Sequence, residues 1–432
     1  MSAKPKILIT GPFFNVSGYS NHSRVLLDSF LELEDKYDLY IDPTQWAASS
    51  VRNEYFNKYK RLVEKKNNLF STRAQPDGQV NIAGLFKATF QECPPNEFRR
   101  LSEFDVGVTA GLETDSAPTS WVSKCNEMKE IFIISNHSKR SLLNAIGPNG
   151  ERVSTKITVL PPAYIKQMPN CLQSRFYNEE NTKTTFNFLC VAQFAPRKNL
   201  ENMLTWFVQE FHDEDDVGLF LKTHMQNNSV MDFYACKRMC QKILARWKDR
   251  KCKVNIIHGN LNDEDMSCLY DKNQIDCYVT AAHGEGFGIP LLSAASNEIP
   301  IVATNWSGYL DFLRAPQKKK TKKIELKSHF IKVKYDIKKV EQRHLMPGLI
   351  TPDCEWAYPQ EKSFKKAIRN ARTNKELFLE SSKNLKKFVD DRYSKSSVIK
   401  NYKENIVRCL GDIVDEEDEI EKMFASMMES KK

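Results

Sequence analysis

The chain of 432 residues is 41% apolar and 28% charged, values typical of a globular protein that is longer than one typical domain. It holds no run of 18 uncharged apolar residues, which excludes a membrane-spanning helix. The eleven cysteines lack the close spacing of a disulfide scaffold, so we expect mostly buried thiols in a reducing, cytoplasmic setting.

The first half of the chain alternates short β-rich runs with helical ones. The predicted strands are KILIT (Lys6–Thr10), YDLYI, VNIAGLF, FDVGVTAG and IFIISN. Residues 43–80 are polar and aromatic and predict an insertion. The half closes with the double proline of TVLPPAY, and residues 165–185 are predicted to be a linker.

Three loops of this half carry polar or glycine residues that could line a site. Gly18 and Tyr19 lie in a turn that is not a G-x-G-x-x-G dinucleotide fingerprint, which argues against a nicotinamide enzyme. Glu113 follows FDVGVTAG, and one interpretation is a structural hydrogen-bonding residue after a strand. Ser135 or Asn136 is predicted to cap the next helix.

The second half repeats the alternation with the strands FNFLCVA, VGLFLKT, VNIIHGN, IDCYVTA and IPIVATN. Strands that alternate with helices predict parallel βαβ units, so the expected fold is α/β, with two Rossmann-like, doubly wound parallel-sheet domains facing a cleft. We expect these domains at residues 1–170 and 186–395, followed by a helix in 396–432 that packs back across the domain boundary. Loops after FNFLCVA, VGLFLKT and IDCYVTA should converge on one ligand-binding crevice.

Two basic residues, Arg197 and Lys198, follow FNFLCVA where a helix is predicted to begin. One interpretation is a basic helix start on the surface, but cations are unfavourable at a helix N-terminus. The pattern therefore favours a bound anion at this position.

Two cysteines, Cys236 and Cys240, lie one helical turn apart, with Cys252 and His258 nearby in sequence. Their spacing matches no C-x2-C pair, and the segment of the first two is typical of an ordinary helix. Because free cysteine usually behaves as a small core hydrophobe, we interpret these residues as packing and expect no metal.

The stretch AAHGEGFGIPLLSAAS (Ala281–Ser296) places one acidic residue, Glu285, among three glycines. Pro290 suits the first turn of a helix, so the four preceding amides should point freely from a helix N-terminus, which attracts anions. These amides belong to Gly286, Phe287, Gly288 and Ile289. A carboxylate there would repel phosphate unless it accepts hydrogen bonds from an attached sugar. The loop therefore predicts phosphate on the amides and sugar on Glu285, the alternative being a glycine-rich turn with an exposed glutamate.

A lysine-rich segment, residues 317–339, supplies a large share of the net charge of +9. Such a charge run is typical of a solvated insertion. Lys318–Lys339 would also suit peripheral contact with an anionic membrane surface. Aromatic residues are sparse there and no nucleic-acid motif accompanies it, so we expect no nucleic-acid partner.

Residues 283–313 resemble the nucleotide-sugar signature of retaining glycosyltransferases of family 4 (glycosyl transferases group 1), which have the two-domain GT-B fold. The family pattern is EGFG, P-x-L-E-A, a G-x-P-V-V-A-T strand and a G-G-x-x-E turn. The matching positions are Glu285, Gly286, Phe287, Gly288, Pro290, Leu292, Ala294, Pro300, Val302, Ala303 and Gly308. The family's second glutamate is replaced by Ser293, which offers one hydrogen bond instead of a bidentate ribose clamp. Asp311 lies near the family's later acid.

Other stretches resemble the same family and imply further roles. VAQFAPRKNLENML places Lys198 on the lysine that contacts the donor diphosphate, whereas Gln193 replaces another basic residue. GLETDSAPTSW resembles a G-x-x-E-x-x-x-x-P-x-x-W element of a branch of the family, which implies that Glu113 lies at the cleft on the acceptor side, the alternative being the structural role. The expected catalytic residues are Glu285, Lys198, Arg197 and Glu113. The expected donor-binding residues are Gly18, Tyr19, His283, Gly286, Phe287, Gly288, Ile289 and Ser293.

The resemblance implies transfer of a sugar from a nucleoside-diphosphate sugar to a hydroxyl of a glycan, lipid-linked or protein acceptor, with retention of anomeric configuration. Lys198, Arg197 and the loop amides would stabilise negative charge on the departing diphosphate. No Asp-x-Asp motif stands beside a strand end, so we expect neither a metal nor another cofactor. The alternative, motivated by Ser293 and Gln193, is a catalytically degenerate GT-B protein that binds a nucleotide or sugar without turnover.

Overall fold

The computed structural model describes residues 4–46, 51–73, 82, 84–165, 176–177, 184–318 and 324–411. Parts of the predicted insertion and linker, the lysines of residues 319–323, and residues 412–432 of the predicted final segment therefore lie outside the described residues. Among the described helices, none combines the length and apolar character that crossing a bilayer requires.

The first half forms a six-stranded parallel sheet in the order β2-β1-β3-β4-β5-β6. Its strands are β1 (Lys6–Gly11), β2 (Asp38–Pro43), β3 (Ala88–Glu92), β4 (Phe104–Thr109), β5 (Glu130–Ile133) and β6 (Lys156–Val159). The helices of this half are α1 (Gly18–Leu31), α2 (Asn53–Arg73), α3 (Thr119–Asn126) and α4 (Asn136–Asn144). Much of the predicted insertion is thus helix α2.

The second half forms another six-stranded parallel sheet, in the order β14-β11-β10-β7-β8-β9. Its strands are β7 (Phe186–Val191), β8 (Val217–Lys222), β9 (Lys253–Ile257), β10 (Cys277–Val279), β11 (Ile301–Thr304) and β14 (Ile331–Val333). Its helices are α5 (Leu200–Glu210), α6 (Val230–Leu244), α7 (Asp263–Cys268), α8 (Ile289–Ser296) and α9 (Leu310–Leu313). All six residues of β8 are buried, as expected of a parallel sheet covered on both faces.

Two antiparallel hairpins and two helices complete the second half. The hairpins pair β12 (Arg314–Lys318) with β13 (Ile324–Ser328), and β15 (Tyr335–Lys339) with β16 (Glu355–Pro359). The helices are α10 (Glu361–Thr373) and α11 (Lys375–Tyr393). The predicted fold class, two doubly wound parallel-sheet units, is confirmed.

A C-terminal helix (residues 395–411) returns to the first sheet. Its apolar face contributes Val398, Tyr402, Ile406 and Cys409 to the core around β1 and α1. Among the described residues nine cysteines are free thiols, and all of these except Cys93 are buried.

Each sheet reverses its strand order once, and that reversal locates a crevice. In the first sheet the reversal lies between β1 and β3, and in the second it lies between β7 and β10. Ligands of doubly wound sheets bind beyond the carboxyl ends of the strands at such points. The loops after β7 and β10 are the ones that carry Lys198 and Glu285.

Candidate active site

The basic pair lies in a short 3-10 turn, Pro196–Lys198, between β7 and α5. Asn199 follows in the left-handed region with φ 54°, and its side-chain amide donates to the carbonyl of Ala281 at 3.0 Å. This contact ties the basic turn to the start of the glycine loop.

The glycine loop joins β10 to α8 and is shaped by residues on both sides. Gly288 precedes α8 with φ 88°, a conformation that strains side-chain-bearing residues. Gly308 has no room for a side chain, since an added Cβ would lie 1.8 Å from the carbonyl oxygen of Gly286. Its amide donates to the carbonyl of Glu285 at 2.9 Å. The loop thus has one tightly fixed backbone path.

Ser307 is a site residue that the sequence did not single out. Its hydroxyl accepts a hydrogen bond from the amide of Glu285 and donates to the carbonyl of Glu285 at 2.6 Å. Ser307 also has φ 123°, a costly conformation of the kind that concentrates at functional sites. The only available signal was its position beside Gly308 in the family's G-G turn.

Four predicted catalytic residues form one cluster of alternating charge. The Glu285 carboxylate lies 2.6 and 2.7 Å from Lys198 Nζ, and 3.2 Å from an Arg197 guanidinium nitrogen. Arg197 also pairs with Glu113 of the N-terminal half at 3.0 Å. The side chains of Glu285 and Lys198 are only 11% and 16% exposed. The cluster therefore joins both halves of the chain at the crevice.

Burial and charge act in opposite directions on these groups. Burial alone would raise the pKa of Glu285, but the charges of Lys198 and Arg197 outweigh it and lower this pKa, so the carboxylate is ionised. Burial, and next the charge of Arg197, lower the pKa of Lys198 despite its contact with Glu285. A further anion beside Lys198 would relieve this excess of positive potential.

Four successive amides of the glycine loop have no acceptor within the described part of the chain. The amide of Glu285 is taken by Ser307. No hydrogen bond from the next four amides to another described residue is found, and these amides belong to Gly286, Phe287, Gly288 and Ile289. Because Gly286, Phe287 and Gly288 are buried, amides without acceptors are costly unless a ligand satisfies them.

The N-terminal half closes directly over this loop. A Cβ at Gly18, the first residue of α1, would lie 3.5 Å from Ile289, so the N-termini of α1 and α8 converge. Tyr19 stacks on Trp46 with ring centroids 4.3 Å apart. Gly284 approaches the carbonyl of Glu113 so closely that an added Cβ would lie 2.4 Å from it.

Three residues predicted to bind the donor have side chains that contact other parts of the protein. His283 donates from Nδ1 to the carbonyl of Ala357 at 3.0 Å, and burial lowers its pKa to about 4. The Phe287 ring packs on Phe312, with centroids 5.2 Å apart. Ser293 is fully buried and its hydroxyl accepts from the amide of Ile165 at 3.2 Å.

Two further predicted positions have structural partners. Asp311 accepts from the backbone and side-chain amides of Asn136 at 2.7 and 3.2 Å, which joins α9 to the start of α4. Gln193 donates to the carbonyl of Met225 at 2.6 Å. Ser135 accepts from the amide of Ser138 at 3.0 Å, so the predicted cap of α4 is confirmed.

Comparisons with known proteins agree with this architecture. Residues 243–324 match the family model described as Glycosyl transferases group 1. A curated relative, the serotype-specific mannosyltransferase WbdA of Escherichia coli, is 27% identical over 116 residues, which are 27% of this chain and 13% of the relative. The chain thus spans only a small part of that relative's length.

Solved structures share the whole fold at low sequence identity. A glycosyltransferase from Rickettsia africae has a TM-score of 0.56 at 12% identity, covering 94% of this chain and 99% of that one. Sucrose-phosphate synthase from Thermosynechococcus elongatus has a TM-score of 0.59 at 11% identity, covering 95% and 100%. Anabaena Alr3699/HepE, solved with UDP and glucose, has a TM-score of 0.57 at 11% identity, covering 94% and 100%. The two parallel-sheet units of this chain therefore have the architecture of GT-B glycosyltransferases.

Proposed function

We propose that this chain is a glycosyltransferase that moves a sugar from a nucleoside-diphosphate sugar to an acceptor hydroxyl with retention of anomeric configuration. The observation that carries the proposal is the set of four amides at the start of α8 that have no acceptor among the described residues and that directly follow Glu285, the partner of Lys198 and Arg197. Amides at a helix N-terminus together with two cations form a site for a diphosphate.

The ion pairs of the cluster suggest how donor binding proceeds. Glu285 forms an ion pair with Lys198, and Glu113 forms one with Arg197. An arriving diphosphate would take over Lys198 and the loop amides, because it offers more negative charge than one carboxylate. Glu285, released from Lys198, would then accept hydrogen bonds from the hydroxyls of the sugar.

In the proposed reaction the bond between the anomeric carbon and the diphosphate oxygen breaks, and a bond to the acceptor oxygen forms. Lys198, Arg197 and the loop amides stabilise the negative charge that grows on the diphosphate. The acceptor hydroxyl attacks the anomeric carbon from the same face that the diphosphate leaves. Its proton passes to the departing diphosphate. Retention and independence of a divalent metal rest on the resemblance and on the presence of these cations at the diphosphate position.

A thermal-shift panel of nucleoside diphosphates and their sugars tests donor binding. A cognate donor at about 100 times its Kd should raise the free energy of unfolding by about 2.7 kcal/mol. Lys272→Ala, which removes a surface lysine that pairs with Glu298, is the control for Lys198→Ala. Stabilisation by no donor, or equal stabilisation of the Lys198 variant, would refute the proposed site.

Turnover distinguishes the enzyme from a degenerate binding protein. The donor that stabilises the fold should be hydrolysed slowly by the wild type in the absence of acceptor, and more slowly by Glu285→Ala. Binding of a donor without turnover with any acceptor class would favour the degenerate alternative. Activity that persists in excess chelator would support the metal-independent reaction.

We also propose that the β12–β13 hairpin contacts an anionic membrane surface, which would bring a lipid-linked acceptor to a cytoplasmic enzyme. Ile324 and Leu326 are 67% and 68% exposed and lie on the same face of the hairpin, opposite Lys318 and Pro316. Exposed apolar residues beside lysines suit the boundary of an anionic bilayer. The wild type should float with vesicles that contain phosphatidylglycerol but not with phosphatidylcholine vesicles, and Ile324→Ser/Leu326→Ser should not float with either. Equal flotation of this variant would contradict the contact.

A further inference from the structure

A second cluster of polar side chains lies beyond the carboxyl ends of β8 and β9, apart from the charge cluster at Glu285. Asp232 and Cys236 lie one turn apart on α6, and His258 directly follows β9. One ligand atom from each of the three lies within 4.8 Å of the other two. Cys236 Sγ and His258 Nε2 lie 3.4 and 3.5 Å from the same oxygen, Asp232 Oδ1.

His258 is the part of this cluster that protein contacts leave unexplained. Its side chain is only 7% exposed, and its Nε2 atom has no hydrogen-bond partner among the described residues. A buried imidazole nitrogen without a partner is costly. Nε2 lies beside a carboxylate oxygen and a thiol sulfur, which are two further groups that bind metal ions.

We propose that Asp232, Cys236 and His258 bind a zinc ion. Zinc prefers this mixture of carboxylate, thiolate and imidazole ligands in tetrahedral geometry. Tetrahedral zinc with ordinary bond lengths to oxygen, sulfur and nitrogen separates these ligand atoms by about 3.3–3.6 Å. The two distances from Asp232 Oδ1 already have those values, and Cys236 Sγ and His258 Nε2 lie within 4.8 Å of each other.

The surroundings of Asp232 hold its carboxylate in place before any ion binds. Its oxygens accept hydrogen bonds from four consecutive backbone amides, those of Met225, Gln226, Asn227 and Asn228. The Cys236 thiol also points its proton at Asp232 Oδ1. On binding, this proton leaves to solvent, the sulfur bonds to zinc as a thiolate, and the ion takes the place of the proton between sulfur and oxygen.

The fourth position of the ion would open on a surface cavity of about 350 Å³. The cavity is lined by Asn228, Ser229, Val230, Phe233, Ile256 and His258. Three protein ligands with an open fourth position leave room for a water molecule or an anionic ligand.

The proposal departs from the sequence interpretation of Cys236 and His258 as packing residues, and it leaves that of the other two cysteines unchanged. Cys240 and Cys252 lie in the apolar core of the second sheet, as the packing interpretation predicted. Asp232 was not considered because its pairing with His258 is not visible as a local spacing. Cys240, one turn beyond Cys236 on the same helix, is thus a matched control.

The test is a titration of chelator-treated full-length protein with Zn²⁺ and, for optical detection, Co²⁺. The wild type should bind one equivalent and, with Co²⁺, show thiolate-to-metal absorption in the near ultraviolet. Cys236→Ser should lose that absorption and bind Zn²⁺ at least about 100-fold more weakly, since loss of an outer partner alone costs 10–100-fold. Cys240→Ser and Lys198→Ala should bind as the wild type does, which separates this site from the proposed donor site.

His258→Gln provides a second variant in case Cys236→Ser folds poorly. It should keep the far-ultraviolet circular dichroism of the wild type and lose most of its Zn²⁺ affinity. The proposal is overturned if the wild type binds no Zn²⁺ at micromolar concentrations. It is also overturned if folded Cys236→Ser or His258→Gln binds Zn²⁺ as tightly as Cys240→Ser.

Discussion

The two strand-order reversals of this chain have the same topology but treat their polar groups in opposite ways. At the reversal between β1 and β3, His22 lies 2.6 Å from Glu92 and 2.5 Å from the hydroxyl of Tyr402, which donates to the carbonyl of Leu160 at 2.8 Å. At the reversal between β7 and β10, four amides have no acceptor within the described chain. At the first reversal His22, Glu92 and Tyr402 bond to one another and Glu92 Oε2 alone of these three residues' side-chain nitrogen and oxygen atoms lacks a partner among the described residues, whereas the second reversal leaves four successive backbone amides for a ligand.

The side chains that form the two crevices differ in the same way. Glu92 and His22 are fixed by the C-terminal helix, which brings Tyr402 from the far end of the chain. Glu285 and Lys198 pair across two loops, and a diphosphate can replace one partner of that pair. A doubly wound sheet thus offers a crevice at each strand-order reversal. The side chains around the crevice determine whether it can bind a ligand.

The largest effect should come from Lys198→Ala. Removing one group that stabilises the departing diphosphate should lower sugar transfer about 100- to 1,000-fold, the range found when a single stabilising donor is lost. Transfer is measured with the donor identified by the thermal-shift panel. Lys272→Ala should retain wild-type activity, and a Lys198→Ala variant with full activity would place the chemistry elsewhere.

Gly308→Ala should disrupt the glycine loop. An added Cβ would lie 1.8 Å from the carbonyl of Gly286, so the loop must move, at a cost of about 3 kcal/mol of unfolding free energy. Donor binding should be lost with it. Gly150→Ala is the control, because Gly150 has open space around it and φ +80°, so that only backbone strain of about 1 kcal/mol is expected.

Gly308 fixes the backbone path of the glycine loop at the crevice between β7 and β10. Urea unfolding of both glycine variants gives the change in unfolding free energy, and donor titration gives the change in donor affinity. A Gly308→Ala variant that binds donor as tightly as Gly150→Ala would show that the path of this loop does not determine the site.

Tyr402→Phe tests the reversal between β1 and β3, where the side chains bond to one another. Loss of the hydroxyl leaves His22 Nε2 and the carbonyl of Leu160 without this partner, which should cost about 1–2 kcal/mol of unfolding free energy. Donor affinity should be unchanged, because the second reversal does not depend on Tyr402. A loss of donor affinity without a loss of stability would reverse the assigned roles of the two crevices.

The smallest effect concerns the acid limb of stability. Because the pKa of folded Glu285 is below its ordinary value of 4.5, its contribution to stability is present above that value and is lost as the pH falls through the folded pKa. Between about pH 6 and about pH 3, the wild type should therefore lose more unfolding free energy in urea than Glu285→Gln does. Parallel pH profiles for the two proteins would show that the Lys198–Glu285 pair does not stabilise the folded state.

Much of the fold could be predicted from the sequence because each strand is marked by a buried β-rich run and each helix by its spacing. The cap at Ser135 and the helix start at Pro290 follow from local chemistry and are confirmed. Helix α2 was missed because its sequence is polar and buries only Tyr59 and Leu62.

The candidate site was only partly visible in the sequence. The sequence predicted that Glu285 and Lys198 lie in loops that converge on one crevice. It did not predict their ion pair, because that pair depends on the distance between the two loops. The bond between Ser293 and the amide of Ile165 joins positions 128 residues apart and has no local signature. The same holds for His22 and Tyr402, and for Asp232 and His258, because such partners are set by the register of the sheets.

The most direct test of the central claim is calorimetry of a nucleoside diphosphate and of its sugar, each titrated into the wild type and Glu285→Gln. If the amides and Lys198 hold the diphosphate while Glu285 holds the sugar, the variant should bind the diphosphate at least as tightly as the wild type, because a competing carboxylate is gone. It should lose the extra affinity that the sugar gives in the wild type. Equal weakening of both ligands, or of neither, would contradict the account.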